Sequence, residues 1–215
     1  TVGIYVFSWL IMPALFQSTK VDGQHGTFGW FIPPVSHLIV PVLGLDLLHT
    51  PFGHAHAAPF FFLSLASLGI GFMLFLLIGP NVLHRYIYHS SPVGKMAPTL
   101  LIALAPTSIL IITLIKINLV LGQLPFLAID SIRGVIQLVG PVLWGFSFWW
   151  LILSVIKITR AFVDRTLSFT LSWWAFTFPI GAIAVATAAL NKVFQFRFLR
   201  YTHVGLSVLL LAVWL

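Results

Sequence analysis

Charged residues punctuate this chain at long intervals. Between Asp22 and Asp46 lie 23 uncharged residues; the corresponding gaps are 38 from Asp46 to Arg85, 20 from Lys95 to Lys116, 23 from Arg133 to Lys157 and 26 from Arg165 to Lys192. A helix crosses the hydrocarbon core of a bilayer with about 20 apolar residues, so each gap predicts one spanning helix, the longest with room for a loop. The predicted spans are Trp30–Leu48, Phe60–Leu83, Pro98–Ile117, Ile136–Ile156 and Leu171–Leu190, with partial spans in Val2–Phe16 and Val204–Leu215. Lipid leaves backbone groups no partner outside the chain, which restricts spanning structure to helices or a closed barrel. Barrel strands alternate in polarity over about ten residues, and runs such as Phe60 to Leu77 do not alternate. The pattern predicts an all-α membrane protein, a single transmembrane domain over 1–215.

Composition sharpens this. Hydrophobic residues make up 60% and charged residues 7%, against about a quarter charged in soluble domains, so the chain lacks the polar groups to cover a water-exposed surface. It opens within one apolar run and stops within another, which reads as a piece of a longer protein. The first run has neither a basic leader nor a small-residue cleavage site, unlike a signal peptide. The absence of cysteine excludes disulfides, thiolate metal sites and cysteine nucleophiles. The net charge of +7 is dispersed over the predicted loops rather than gathered in a stripe, which fits lipid headgroups and not nucleic acid. Counting Lys20, Arg85, Lys95, Lys157, Arg160 and Arg165 on one side against Lys116, Arg133, Lys192, Arg197 and Arg200 on the other weakly orients the first group to the cytoplasm. Trp30, Tyr86, Tyr88, Trp149, Trp150, Trp173 and Trp174 stand where interfacial aromatic belts are expected. Asp22, Asp46, Asp130 and Asp164 all fall in predicted loops or span edges, without paired-carboxylate spacing, and no phosphate-cradling glycine motif occurs. Each Lys sits at the boundary of a gap, which disfavours a retinal Schiff base.

Proline adds a periodicity. Pro33 and Pro98 are 65 residues apart, as are Pro41 and Pro106, and Pro106 and Pro179 are 73 apart. This is the length of a helical hairpin, so the spacing predicts a tandem repeat in which the first helix of each hairpin is broken. Proline frees the carbonyl four residues back, here those of His37, Ile102 and Ala175. Within a membrane such groups persist only beside protein or a water-filled space, so the broken helices are expected to share an interior. After Pro179 the chain is rich in Gly and Ala, and Phe178, Gly181, Ala182, Val185 and Ala189 follow helical spacing. One bulky ring on a small-residue face has the form of a plug.

The stretch Trp173-Trp-Ala-Phe-Thr-Phe-Pro179, followed by Ala182-Ile-Ala-Val-Ala-Thr187, resembles the tellurite-resistance/dicarboxylate transporter family, which includes bacterial tellurite-resistance proteins, fungal malate and sulfite transporters and plant slow anion channels. Leu83-His-Arg-Tyr-Ile-Tyr-His89 leading to Pro98, Ala103-Leu-Ala-Pro-Thr-Ser108, and Trp30-Phe-Ile-Pro-Pro-Val-Ser36 with Gly44 are similar to that family as well. The resemblance implies five hairpins around a pseudo-fivefold axis, kinked odd-numbered helices lining a pore, and a homotrimer. It aligns this chain with the fourth helix through part of the tenth and matches Phe178 to the pore-blocking aromatic. The first three helices are then missing, and the three inner helices present cannot close the pore alone.

The expected function is passage of small anions, C4-dicarboxylate or inorganic (malate, sulfite, tellurite, nitrate and chloride all suit), across a cell membrane, inner or plasma. Phe178 is the expected gate. Pro179, Gly181, Ala182, Val185, Pro106, Pro41 and His37 are the expected pore positions. Arg85 and Lys116 are the candidates for attracting anions, each also readable as a snorkelling helix-end cation; Arg85 with Tyr86 and His89 also suits an interfacial anchor. His37 reads as a neutral core histidine or as a proton-coupling group. No cofactor, metal or nucleic acid is expected. The alternative is a multi-pass membrane enzyme or metal-binding protein using His49, His54 and His56 in the loop Leu45–Pro59.

Overall fold

The computed structural model describes residues 1–17, 26–88, 94–127 and 132–215. Among them the secondary structure is helical, with no strand. Eight α-helices follow in order: α1 (Val2–Gln17), α2 (Ile32–Leu47), α3 (Pro51–Ala55), α4 (Ala57–Tyr88), α5 (Leu104–Val120), α6 (Arg133–Val163), α7 (Thr177–Phe194) and α8 (Arg197–Trp214). Five continuous helical stretches are long and apolar enough to cross a membrane: Phe28–Leu47, Ala57–Tyr88, Met96–Gln123, Arg133–Val163 and Leu171–Phe194. They coincide with the five predicted spans and extend most of them by a turn. Lys20, Asp22, His89 and Asp130 lie outside the described residues, as does the Lys95 side chain.

The predicted loop Leu45–Pro59 is largely helical. α2 runs to Leu47, and Thr50 caps α3 by accepting the Gly53 amide at 3.1 Å. Pro51, the first residue of α3, suits a position that needs no amide donor.

Three of the helices share one construction. A 3₁₀ segment leads into each of α2, α5 and α7: Phe28–Phe31, Gly94–Ala103 and Leu171–Phe176. The α-helical parts begin at Ile32, Leu104 and Thr177, 72 and 73 residues apart. Each has proline at its third position, namely Pro34, Pro106 and Pro179. Proline is tolerated there because the change from 3₁₀ to α geometry already interrupts the regular hydrogen-bond pattern at that turn. The repeat therefore has a different phase from the 65-residue spacing: Pro34, not Pro41, is the counterpart of Pro106. Pro41 alone of these prolines lies deep inside its α-helix, where it withholds a donor from the His37 carbonyl. The Ile102 and Ala175 carbonyls lie within 3₁₀ segments, where the hydrogen-bond pattern is already changing.

Burial separates inner from outer helices. In the most apolar stretch of each span, 78% of residues are buried for Met96–Gln123, 56% for Phe28–Leu47 and 39% for Leu171–Phe194, against 22% for Ala57–Tyr88 and 28% for Arg133–Val163. The 3₁₀-led helices are thus the interior ones, as the proline pattern predicts, although α4 and α6 also carry one internal proline each, Pro80 and Pro141. α5 is central, packing on α2, α6 and α7; α2 pairs with α4, and α7 with α8.

With lipid on the outside, helices are held by close packing and interhelical hydrogen bonds. On α4 the inward stripe is Phe61, Ser64, Ser67 and Gly71, spaced by three or four residues. Gly71 admits the α2 backbone: a β-carbon there would meet the Pro34 carbonyl oxygen at 2.7 Å. α6 is tied to α5 by the Thr107 and Ser147 hydroxyls at 2.6 Å and to its 3₁₀ lead by Trp150 Nε1 donating to the Leu100 carbonyl at 2.9 Å. Trp144 Nε1 donates to Thr187 Oγ1 on α7 at 2.9 Å. His203 of α8 places Nδ1 3.0 Å from the Ala184 carbonyl, which can only accept.

Candidate anion pathway

The N-terminal ends of the three inner segments enclose a cleft of about 840 Å3. Ile32, Ser36 and Ile39 of α2 form one wall, Thr99 and Ile102 of the second 3₁₀ segment another, and Trp174 with Phe178 the third. No charged side chain is among its lining residues. Besides the Trp174 indole, its polar side chains are hydroxyls, each already engaged: Ser36 Oγ donates to the Ile32 carbonyl at 2.8 Å, Thr99 Oγ1 donates to the Met96 carbonyl at 2.6 Å, and the Thr170 and Ser172 hydroxyls are 2.7 Å apart. The N-terminal end of each helical stretch, where its 3₁₀ segment begins at Phe28, Gly94 or Leu171, carries partial positive charge. Three such starts around one apolar space give a weak attraction for anions without a fixed cation. A second cleft, of about 820 Å3, lies between α1, α2 and α4 and is lined by apolar residues such as Phe7, Met12 and Leu77. It involves one inner helix only.

Phe178 lines the first cleft and is 45% exposed. Val185, two turns on, is exposed on the same stripe. The rest of the expected small-residue face divides. Ala182 is buried among the helices, and Gly181 turns toward α8, where a β-carbon would meet Leu210 at 3.6 Å. Ala182 and Gly181 therefore do not share the Phe178 face. The cause is crowding: α7 packs on both α5 and α8, leaving a narrow open stripe. Pro179, Pro106 and Pro41 are all buried; of these only Pro179 borders the cleft.

His37 is 1% exposed and does not line the cleft. Its ring packs edge-on to Tyr5 of α1 at 5.0 Å, and the Tyr5 hydroxyl lies 2.6 Å from Ser67 Oγ of α4. Neither ring nitrogen has a hydrogen-bond partner among the described residues. The imidazole thus faces the contact between α2 and the outer helices rather than the space shared by the inner ones.

Neither cation candidate supplies free charge to the cleft. Arg85 is buried at the end of α4, where Nη1 donates to the Gly26 carbonyl at 2.9 Å and the guanidinium lies over the Tyr86 ring at 5.6 Å. It fixes the chain entering the first 3₁₀ segment. This corrects the snorkelling reading too: the head group is held inside. Lys116, near the other end of α5, forms an ion pair with Asp46 of α2. Sequence spacing could not reveal a pairing across 70 residues.

The histidines of the metal alternative stand apart. His49 pairs with the Gln123 amide at 3.3 Å and His56 Nδ1 lies 3.0 Å from the Phe52 carbonyl. Among the described residues no group of three His, Cys, Asp or Glu side chains is placed to hold a metal ion.

Sequence reasoning passed over the hydroxyls. A signal was available for two of them, because Thr99 and Ser172 lie 73 residues apart, the spacing of the starts of α5 and α7. It becomes readable only once the repeat is correctly phased.

A family model described as SLAC1, voltage-dependent anion channel, matches residues 1–215. Two uncharacterized transporters of Methanocaldococcus jannaschii are similar: one is 30% identical over 99% of this chain and 59% of its own length, the other 29% identical over 100% and 60%. A sulfite efflux pump of Trichophyton rubrum is 30% identical over 35% of this chain and 19% of its own. The chain spans about three fifths of the length of the Methanocaldococcus relatives. No solved structure matches it. These relatives are transporters and not enzymes, and the chain belongs to the SLAC1 voltage-dependent anion channel family.

Proposed function

We propose that the three 3₁₀-led helices form part of the wall of a pore for small anions, which Phe178 closes. The observation that carries this reading is the uncharged cleft among their N-terminal ends, with the benzyl ring of Phe178 in its wall. A buried fixed charge costs several kcal/mol or more in a bilayer and would hold an anion too firmly, whereas conduction needs binding weak enough to leave. Helix starts and hydroxyls supply that weaker attraction. The cargo is an inorganic oxyanion or halide, or a C4-dicarboxylate; similarity to a sulfite efflux pump over part of the chain favours inorganic oxyanions such as sulfite or tellurite.

In this reading the chain is one transmembrane domain within a ten-helix, pseudo-fivefold assembly, present as a homotrimer in the cell (inner or plasma) membrane. α1 corresponds to the fourth helix and α8 to the tenth. The test is anion uptake into liposomes holding the full-length protein, across a panel of malate, sulfite, tellurite, nitrate and chloride. Phe178→Ala should raise uptake about tenfold, equivalent to about 1.4 kcal/mol off the barrier. Unchanged uptake in that variant removes Phe178 from the gate.

A further inference from the structure

The ends of α2 and α5 opposite the cleft are joined by the Asp46–Lys116 ion pair, whose side chains are 55% and 24% exposed, and by the His49–Gln123 contact at 3.3 Å. Beneath the pair, Leu45, Leu48, Ile117 and Val120 close an apolar cluster. Charge at this end is otherwise positive: Arg133 opens α6, Lys192 ends α7, and Arg197 and Arg200 open α8. Asp46 is the one acid described there, since Asp164 caps α6 at the end near the cleft and Asp22 and Asp130 lie outside the described residues. Lys116 is moreover the cation borne by the central and most buried inner helix.

We infer that Asp46 masks Lys116 and so sets how strongly this mouth gathers anions. The inference rests on the pore reading. A paired carboxylate cancels most of the field of the ammonium at a distance, while an unpaired ammonium in a water-like medium raises anion occupancy about twofold to threefold at points about 8 Å from it. That gain is a screened, long-range effect, so it fades as salt shortens the Debye length from about 10 Å at 0.1 M to about 3 Å at 1 M. Asp46 acts through Lys116 and is a positioning residue, while Lys116 is the group the anion senses.

The experiment uses the full-length protein in liposomes, in the Phe178→Ala background, with sulfite below saturation. Asp46→Asn should raise uptake twofold to threefold at low ionic strength and leave it unchanged at 1 M salt. Lys116→Gln alone, which leaves the Asp46 charge unpaired, should lower uptake by the same factor, and the doubly neutral Asp46→Asn with Lys116→Gln should return it to the parent level. No rise with Asp46→Asn, a rise indifferent to salt, or a rise that persists in the doubly neutral variant overturns the inference. The swapped pair, Asp46→Lys with Lys116→Asp, separates masking from a mere strut. The reversed cation stands on α2 and is still masked, so wild-type uptake in the swap supports masking only if Asp46→Asn alone raised uptake; wild-type uptake in both shows a strut, which sinks the inference. If Phe178→Ala alone carries no sulfite or other anion, the pore reading fails first and takes this inference with it. Uptake by Phe178→Ala without a response to Asp46→Asn sinks this inference alone.

Discussion

Gly71→Ala tests whether α2 is held in place by its crossing with α4. The added methyl would lie 2.7 Å from the Pro34 carbonyl oxygen, 2.9 Å from the Leu38 amide nitrogen and 2.8 Å from Leu38 Cγ. Two of these are backbone atoms, acceptor and donor of the same helical turn, so no side-chain rotation relieves the clash. Ordinary contact begins at 3.4 Å, so the helices must part by several tenths of an ångström. Overpacking of this kind costs about 1–3 kcal/mol. Gly69→Ala is the control, two residues away on the lipid-facing side of the same helix, where a β-carbon meets nothing within 4 Å. It should gain about 0.5–1 kcal/mol from helix propensity alone. Equilibrium unfolding of the full-length protein in mixed micelles, followed by far-UV circular dichroism, should therefore place Gly71→Ala below Gly69→Ala by about 1–3 kcal/mol. Because Val35 and Ser36 sit between the displaced Pro34 and Leu38 and line the cleft, anion uptake should change in Gly71→Ala and not in Gly69→Ala. Equal stability of the two variants would refute the close approach of α2 and α4.

Arg85→Lys should lower stability by about 1.5–3 kcal/mol, the range for a hydrogen bond to a charged group, by losing the contact to the Gly26 carbonyl. The order of preference across an anion panel should stay the same; a changed order with unchanged stability would return Arg85 to the pathway. For the Thr107–Ser147 pair, a double-mutant cycle with Thr107→Val and Ser147→Ala should give a coupling of about 0.6 kcal/mol and not above about 1.7. Zero coupling would mean that the two hydroxyls do not stabilise the α5–α6 contact.

The spans were legible because charge is scarce and its gaps match the thickness of a bilayer. The division into inner and outer helices was legible only in part: helix-breaking residues are tolerated beside other protein and recur as Pro34, Pro106 and Pro179 in the inner segments, yet Pro80 and Pro141 stand exposed on the outer helices α4 and α6. The phase of the repeat was not legible. Pro33, Pro34 and Pro41 all stand in the first inner segment, and spacing alone pairs Pro41 with Pro106 as readily as Pro34. What decides between them is the change from 3₁₀ to α geometry at Ile32, Leu104 and Thr177, a feature of hydrogen-bond pattern that no single residue type announces. The 3₁₀ leads themselves left no such mark, since Gly94–Ala103 and Leu171–Phe176 share little beyond a hydroxyl near the same register.

At the site, the aromatic was more legible than the surroundings of the charges. Phe178 stands out in the sequence as one large ring in a run of small residues and lies in the cleft wall, while Val185 is exposed but not among the lining residues. Helical spacing did not reveal that Ala182 is buried against neighbouring helices, because a period of 3.6 gives the relative angle between positions but not which neighbours flank the helix. The partners of Arg85 and Lys116 were not legible, for a common reason. In a chain with only 7% charged residues, every buried cation or imidazole invites a functional role. Yet lipid makes an unpartnered charge so costly that the fold first spends such groups on itself: Arg85 on the Gly26 carbonyl, Lys116 on Asp46. Scarcity therefore raises the demand for partners rather than freeing charges for transport. What the cleft wall carries instead is groups whose polarity is small enough to stand there without charge, among them the hydroxyls of Ser36, Thr99 and Ser172.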